Sequence, residues 1–375
     1  MAVQLTDDAP AVPRPVVMIV GLAGALIVVI GLRNLSEIIG PSFLALVLTV
    51  AAQPLGPWVQ RKGLPRWVGT TLAIVLIYAA LIGLAVSLLV AGGRFATLLP
   101  SYQEQFENLL QDALTWLESA GVGRRQIEEV AGALDLGKIV AAIGELASGL
   151  LGVLSSLVFI LTLVIFMVVD GTGFPVRLRE LPLERQQLVV ALGGFARGTR
   201  RYLVVSTVFG LVVAAIDTVA LFLIGVPVAA LWGLLAFITN YIPNIGFVIG
   251  VIPPAIIGLL EGGPAMALTV VVVYSVINLI IQSVIQPRVV GEAVGLSPTI
   301  TMLSLVFWAF TLGAVGALMA VPLSLLAKAL LVDADPRAAW IAPLLSGNTK
   351  EPEVASQPAG EVPAPKPAAP VPETG

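Results

Sequence analysis

The chain has 375 residues, of which 58% are hydrophobic and 11% charged, and its formal charge is −3; its mean hydropathy is +0.99. A soluble globular protein carries about 25% charged residues, so most of this surface faces lipid. There is no Cys and no His, which excludes disulfides, thiol chemistry, the usual zinc sites and imidazole proton shuttles.

In chain order, residues 1–15 form a short N-terminal tail expected on the cytoplasmic side. Apolar stretches close to the roughly 20 residues that span a bilayer follow at 16–32, 38–52, 67–91, 150–169, 203–224 and 265–285. The second is short and requires a slanted helix or a tight hairpin with the first. Two longer apolar blocks, 229–260 and 299–332, contain Gly and Pro breaks. Counting each block once predicts an all-α polytopic membrane protein of about eight transmembrane spans, two of them broken or re-entrant helical elements. The first stretch lacks a small-residue cleavage site and is followed at once by the second, so it reads as a retained anchor.

These stretches divide the chain into N-terminal spans at 16–91, an external segment at 92–149, a transport core at 150–332 and a tail at 333–375. In the external segment Leu99, Tyr102, Phe106, Leu109, Leu110, Ala113 and Leu117 recur at helical spacing. A second short helix is expected at 124–134, with Ile127, Val130, Ala131 and Leu134 on one face. These faces would pack on each other, on the membrane surface or on a neighbouring subunit. Within the core, the loop 170–202 reads as an amphipathic helix, with Leu188, Val189, Leu192 and Phe195 beside six arginines. Those arginines read as topology determinants and headgroup contacts, and no nucleic-acid partner is expected. The tail is rich in Pro and Ala, especially over 351–375, and is expected to be disordered.

Loop charges set the orientation. Residues 53–66 carry Arg61, Lys62 and Arg66 with no acid, whereas 92–149 has four basic and eight acidic residues. Basic loops stay in the cytoplasm, so 53–66 and 170–202 are expected inside and 92–149 outside. An even number of spans then leaves both termini cytoplasmic, in the inner membrane of a bacterium.

The chemistry concentrates where charge is scarce. Across 203–332 only Asp217, Glu261, Arg288, Glu292 and Lys328 carry formal charge. Asn240-Tyr241-Ile242-Pro243-Asn244-Ile245-Gly246 interrupts an apolar run with a residue that lacks an N–H and one that tolerates positive φ. Broken helices survive in hydrocarbon only inside protein or along a watery cavity, and they are a sequence pointer to a transport site. The freed carbonyls and the Asn amides either bind a polar solute or cation, or merely satisfy the broken backbone. Tyr274, Asn278, Gln282 and Gln286 fall four apart on one slowly drifting helical face; they either bond helices together or line a path. Asp217 is the only charge in its span. It serves as a proton or cation coupling site, or a tilted helix carries it towards the outer interface. Glu261, beside Gly262 and Gly263, reads as exposed in a tight loop. Pro253 and Pro254, Pro287, Pro298, Gly313 with Gly316, and Pro322 mark structural breaks, and the two broken blocks echo each other weakly.

No enzyme is indicated. There is no Gly-x-x-x-x-Gly-Lys-Ser/Thr loop for phosphate, and a serine protease with a His base is impossible without His. Asp170-Gly171-Thr172-Gly173 reads as a helix-ending turn. No cofactor and no metal are expected.

The motif 240–246 with Ile252-Pro253-Pro254, Gln286-Pro287-Arg288-Val289-Val290-Gly291, Gly295-Leu296-Ser297-Pro298 and Ala320-Val321-Pro322-Leu323 resembles the autoinducer-2 exporter family over about 15–335. Gln286 stands where many relatives carry an acid, and Phe247 where smaller residues are usual. The resemblance implies an eight-span transporter that forms homo-oligomers, with a pentamer as the expected form, and that exports a small polar signal molecule of the kind used in quorum sensing. Some members of that family look like sodium/proton antiporters instead. Export of a small polar solute is therefore the leading expectation, with cation/proton exchange through Asp217 and the amides as the alternative. A non-transporting membrane scaffold is the second alternative.

Overall fold

The computed structural model describes residues 13–98, 102–119, 156–182, 185–243, 245–285 and 296–345. Among the described residues every regular element is helical and there is no strand. Five helical stretches are long and apolar enough to cross a membrane, and three shorter apolar helices accompany them. The all-α polytopic architecture read from the sequence is the one observed.

Helices α1 (Arg14–Asn34) and α2 (Ser36–Ala52) are separated by Leu35 alone. The short helix α3 (Leu55–Arg61) follows, and Gly63, at φ 79°, turns the chain into α4 (Arg66–Leu98). With 33 residues, α4 is about 50 Å long at 1.5 Å per residue. It therefore outruns a hydrocarbon layer of about 30 Å and leads into the segment expected to be external. There α5 (Gln103–Ser119) matches the first helix expected outside; the second, at 124–134, lies outside the described residues.

Helix α6 (Leu157–Gly171) ends in the turn expected at Asp170-Gly171-Thr172-Gly173, and the short α7 (Phe174–Arg179) follows. The arginine-rich segment and the next span then form one uninterrupted helix, α8 (Gln186–Ile224). No Pro falls within it, so nothing removes a backbone donor until Gly225 closes it at φ 92°.

The broken block begins with α9 (Ala229–Thr239), whose 11 residues span about 16 Å, half of the hydrocarbon layer. After the turn, α10 (Gly246–Asn278) continues as a π-helix over Leu279–Ile285. The tight loop expected at Gly262 and Gly263 is a sharp kink at Gly263, with φ 71° and ψ −168°. The second broken block comprises α11 (Pro298–Leu318), kinked at Gly313 with φ 65° and ψ −145°, and α12 (Ala320–Lys328) with a short π-helical extension, Ala329–Asp333. A 3-10 turn, Pro336–Ile341, and α13 (Ala342–Leu345) come last. Helical structure thus continues beyond residue 332 into the segment expected to be disordered, and the Ser297 N–H donates to the Leu345 carbonyl at 2.9 Å. The Pro-rich stretch 351–375 lies outside the described residues.

Five of the residues expected at breaks act otherwise. Pro253 and Pro254 are buried within α10 and do not interrupt it; their φ suits a helix, and the departure from helical geometry comes at Gly263. Pro298 is at the start of α11, where the missing N–H costs nothing, and Ser297 Oγ accepts from Ile300 N. Pro322 lies in the first turn of α12. Gly316 is helical rather than kinked, and what it allows is close approach: a side chain there would run into the Trp308 carbonyl. Pro287 lies outside the described residues.

Three buried clusters join these helices. One links α2 with α8, α11 and α12 through Val47, Phe195, Leu203 and Val321. Another links α8, α9 and α10 through Leu221, Trp232 and Val270. The third packs α2 with α4 and α6 through Ala45, Ile77 and Ile160. Outward-facing positions remain apolar, as at Leu22 (75% exposed) and Phe222 (76%). That is the surface a hydrocarbon solvent favours and water does not.

Candidate functional site

The site is built where α9 folds back along α8. Gly233 permits this approach, since a side chain there would collide with Thr218 and the Ala214 carbonyl. Trp232 Nε1 donates to the Pro227 carbonyl at 3.0 Å and fixes the start of α9. The helix then stops, and its loose backbone is satisfied locally. Tyr202 Oη donates to the Tyr241 carbonyl at 2.6 Å, and Tyr241 Oη shares a 2.6 Å hydrogen bond with Thr207. Asn240 Nδ2 donates to the Ser206 carbonyl at 2.9 Å. Gly246 is required because any side chain there would strike the Thr239 carbonyl. Gly246 and Gly316 thus do the same work in the two broken blocks.

Behind this turn lies a small chamber of about 10 Å³, lined by Val213, Asp217, Ala236, Asn240, Phe247, Gly250, Tyr274, Asn278 and Gln282. A water needs about 10–15 Å³ on this measure, so the chamber is sized for one water or one small ion. Asp217 is completely buried, and neither of its carboxylate oxygens has a hydrogen-bond partner among the described residues. Tyr274 Oη and Asn278 Oδ1 are likewise buried and unpartnered. Native proteins pair nearly all their buried polar atoms, so four orphaned oxygens around one chamber form a polar cage. All four can accept a hydrogen bond or coordinate a cation, and the carboxylate can also take up a proton.

Several of the residues singled out in the sequence therefore meet in space. Asn240 and Gln282 are joined directly, with Gln282 Nε2 donating to Asn240 Oδ1 at 3.1 Å. Tyr274, Asn278 and Gln282 face the chamber together because the π-helical end of α10 turns Gln282 towards Asn240. Asp217 faces the same chamber from α8. Tyr241 and Gly246 hold the turn instead of lining the chamber, and Pro243 lies within the turn. Asn244 and Gln286 lie outside the described residues.

The sequence reading missed Val213, Ala236 and Gly250 as lining groups. All three are apolar or small residues in apolar runs, and nothing in their pattern distinguishes a chamber wall from a helix contact. Phe247 did carry a signal, as a large residue where small ones are usual, and its ring occupies one wall. Glu261 is exposed, as expected, but it also accepts a 2.6 Å hydrogen bond from Tyr102 Oη. Burial and that acid together raise the Tyr102 hydroxyl above its ordinary range. The contact ties the start of α5 to the kink at Gly263.

A family model described as AI-2E family transporter matches residues 16–334. The chain is 30% identical over 344 residues to the AI-2 transport protein TqsA of Escherichia coli K12, covering 90% of this chain and 99% of that protein. It is 30% identical over 310 residues to YhhT of the same organism, which is named as a candidate transport protein; the match covers 82% of this chain and 88% of YhhT. YueF of Bacillus subtilis, named in the same way, is 25% identical over 319 residues, covering 80% of this chain and 85% of YueF.

Proposed function

Because the chain belongs to the AI-2E transporter family, we propose that it is a secondary transporter that exports a small polar solute and couples that movement to an ion held in the Asp217 chamber. The observation that carries this reading is the cage of orphaned oxygens from Asp217, Tyr274 and Asn278. An unpaired carboxylate in so apolar a place is tolerable only with a proton or a cation on it. A transport cycle that loads and unloads such a charge is one reason for a membrane protein to keep it.

The chamber is too small for an organic solute. The solute path therefore opens when the two broken blocks move, with Gly263 and Gly313 as the flexible points and the turn 240–246 as one wall. Asn244 and Gln286 belong to this proposed path by their place in the sequence. The relative TqsA is named for transport of AI-2, and a small polar signal molecule of that kind is the substrate class proposed for this chain. The remaining parts of the proposal are a homo-oligomer with the lipid-exposed face of α1 at or near its interface, a place in the inner membrane, and cytoplasmic termini.

Cation/proton exchange is the second reading, and the size of the chamber favours it, since a dehydrated monovalent ion fits where a solute does not. No observation of its own supports a scaffold. Purified protein in proteoliposomes separates the first two. Solute movement driven by a proton or sodium gradient supports coupled export, and a change in internal pH driven by sodium without any solute supports exchange. Neither signal from well-folded protein would overturn both.

A further inference from the structure

A second, roomier cavity has none of the chamber's residues in its lining. It measures about 480 Å³ and lies where α2, α3, α4, α6 and α7 meet the arginine-rich part of α8. This falls within the range of about 300–1,000 Å³ typical of small-molecule sites. Two cations line it, Arg66 and Arg200, with Gln53, Gln60 and Thr70 as further polar groups and no acidic residue. Arg200 donates to the Val50 carbonyl at 3.3 Å and to Gln53 Oε1 at 3.1 Å, both of them neutral acceptors. The side chain of Arg66 makes no hydrogen bond or ion pair with any described residue. The nearest acid in sequence on α6, Asp170, is already paired with Arg177 at 3.2 Å and does not line the cavity. Two guanidinium groups in one cavity without a carboxylate are complementary to a phosphate, which guanidinium binds with planar, bidentate geometry.

The surroundings decide which kind of phosphate. Trp67, on the rim, is 67% exposed, and nearby Trp58 is 52% and Phe174 46% exposed. Exposed aromatics gathered at the ends of spans form the belt that sits at headgroup level. Immediately along α4 from the rim, Leu72, Val75 and Leu76 are exposed and apolar, a surface for acyl chains. A soluble anion would have no use for that surface.

We infer that the Arg66–Arg200 cavity binds the phosphodiester headgroup of an anionic phospholipid, bridging the N-terminal spans to α8 of the transport core. The site is separate from the coupling chamber, and its test does not depend on transport.

The experiment uses the full chain purified in a neutral detergent. Thermal unfolding is followed with added phosphatidylglycerol, phosphatidylcholine or glycerol phosphate, and native mass spectrometry counts the lipid retained. Phosphatidylglycerol should raise the unfolding midpoint by about 2 °C or more, by mass action on the folded state, with one lipid retained per chain. Phosphatidylcholine should not. Arg66→Gln, which loses no intramolecular bond, should abolish both effects. Arg200→Gln should do the same if it folds, and Arg179→Gln, on an exposed arginine outside the cavity, should preserve them. Arg66→Gln protein that keeps the full shift and the retained lipid would overturn the site. An equal shift with phosphatidylcholine would also overturn it. If glycerol phosphate alone reproduced the whole shift at matched concentration, the lipid assignment would be overturned in favour of a soluble phosphate.

Discussion

Gln282 donates its side-chain amide to Asn240 Oδ1 at 3.1 Å, joining the π-helical end of α10 to the turn that follows α9. The same Asn240 reaches back to the Ser206 carbonyl on α8, so one amide holds three elements around the chamber. The site and the scaffold are therefore not alternatives here. Asn240 is committed to structure, whereas Tyr274 Oη and Asn278 Oδ1 remain unengaged.

That division predicts different consequences for neighbouring substitutions. Asn240→Ala leaves the Gln282 amide without its acceptor and removes the link to α8, and should lower stability in detergent by about 1–3 kcal/mol. Gln282→Ala should cost less, because interhelical hydrogen bonds in membranes average about 0.6 kcal/mol. The double variant should fall short of additivity. Additive losses in thermal or denaturant unfolding would show that the two amides do not act as a pair.

Asp217→Asn keeps the shape and removes a charge that has no partner to lose. Its melting temperature should be unchanged or raised. In proteoliposomes the response to proton or sodium gradients should disappear while solute exchange across equal gradients persists. A clear drop in stability with gradient dependence intact would assign Asp217 to structure.

Tyr274→Phe removes a buried hydroxyl, and Asn278→Ala a buried amide oxygen, with no partner among the described residues; Asn278→Ala also loses the Nδ2 donation to the Tyr274 carbonyl at 3.2 Å. Both should leave the unfolding free energy within about 1 kcal/mol of the parent and weaken transport by roughly tenfold to a hundredfold, the worth of one lost hydrogen bond to a buried polar group. Parallel measurement of unfolding and transport KM on the same preparations checks this. Loss of stability with KM unchanged would make them packing residues.

Gly246→Ala and Gly316→Ala should each destabilise by about 1–3 kcal/mol through overpacking against a carbonyl. Gly21→Ala on α1, where a side chain meets open space, should be silent. Unfolding of the three variants side by side tests whether the two broken blocks depend on the same close approach.

Orientation is testable because the chain has no cysteine. Asp112→Cys on α5 should react with a membrane-impermeant thiol reagent in intact cells, and Val190→Cys on α8 only after lysis. The reverse pattern would invert the topology drawn from loop charge.

The membrane-spanning, all-helical class was decided by the sequence alone. A chain with so few charges cannot present a hydrated surface, and in hydrocarbon the backbone must bond to itself, so helices follow. The positions of the principal break and of the polar stripe were also legible, because Pro243, Gly246 and a four-residue spacing act locally. What only the tertiary structure decided was which helices bring those groups together. Asp217 reads the same from sequence whether it faces lipid, water or protein; the approach of α9 to α8 at Gly233 and the π-helical turn at Gln282 put it in one small chamber with Tyr274 and Asn278. Pro253 and Pro254 looked like breaks and are not, because proline φ suits a helix and the kink was left to Gly263, which alone has the freedom for φ 71°. Periodicity fixes which face a residue occupies, but packing between distant segments fixes what that face meets.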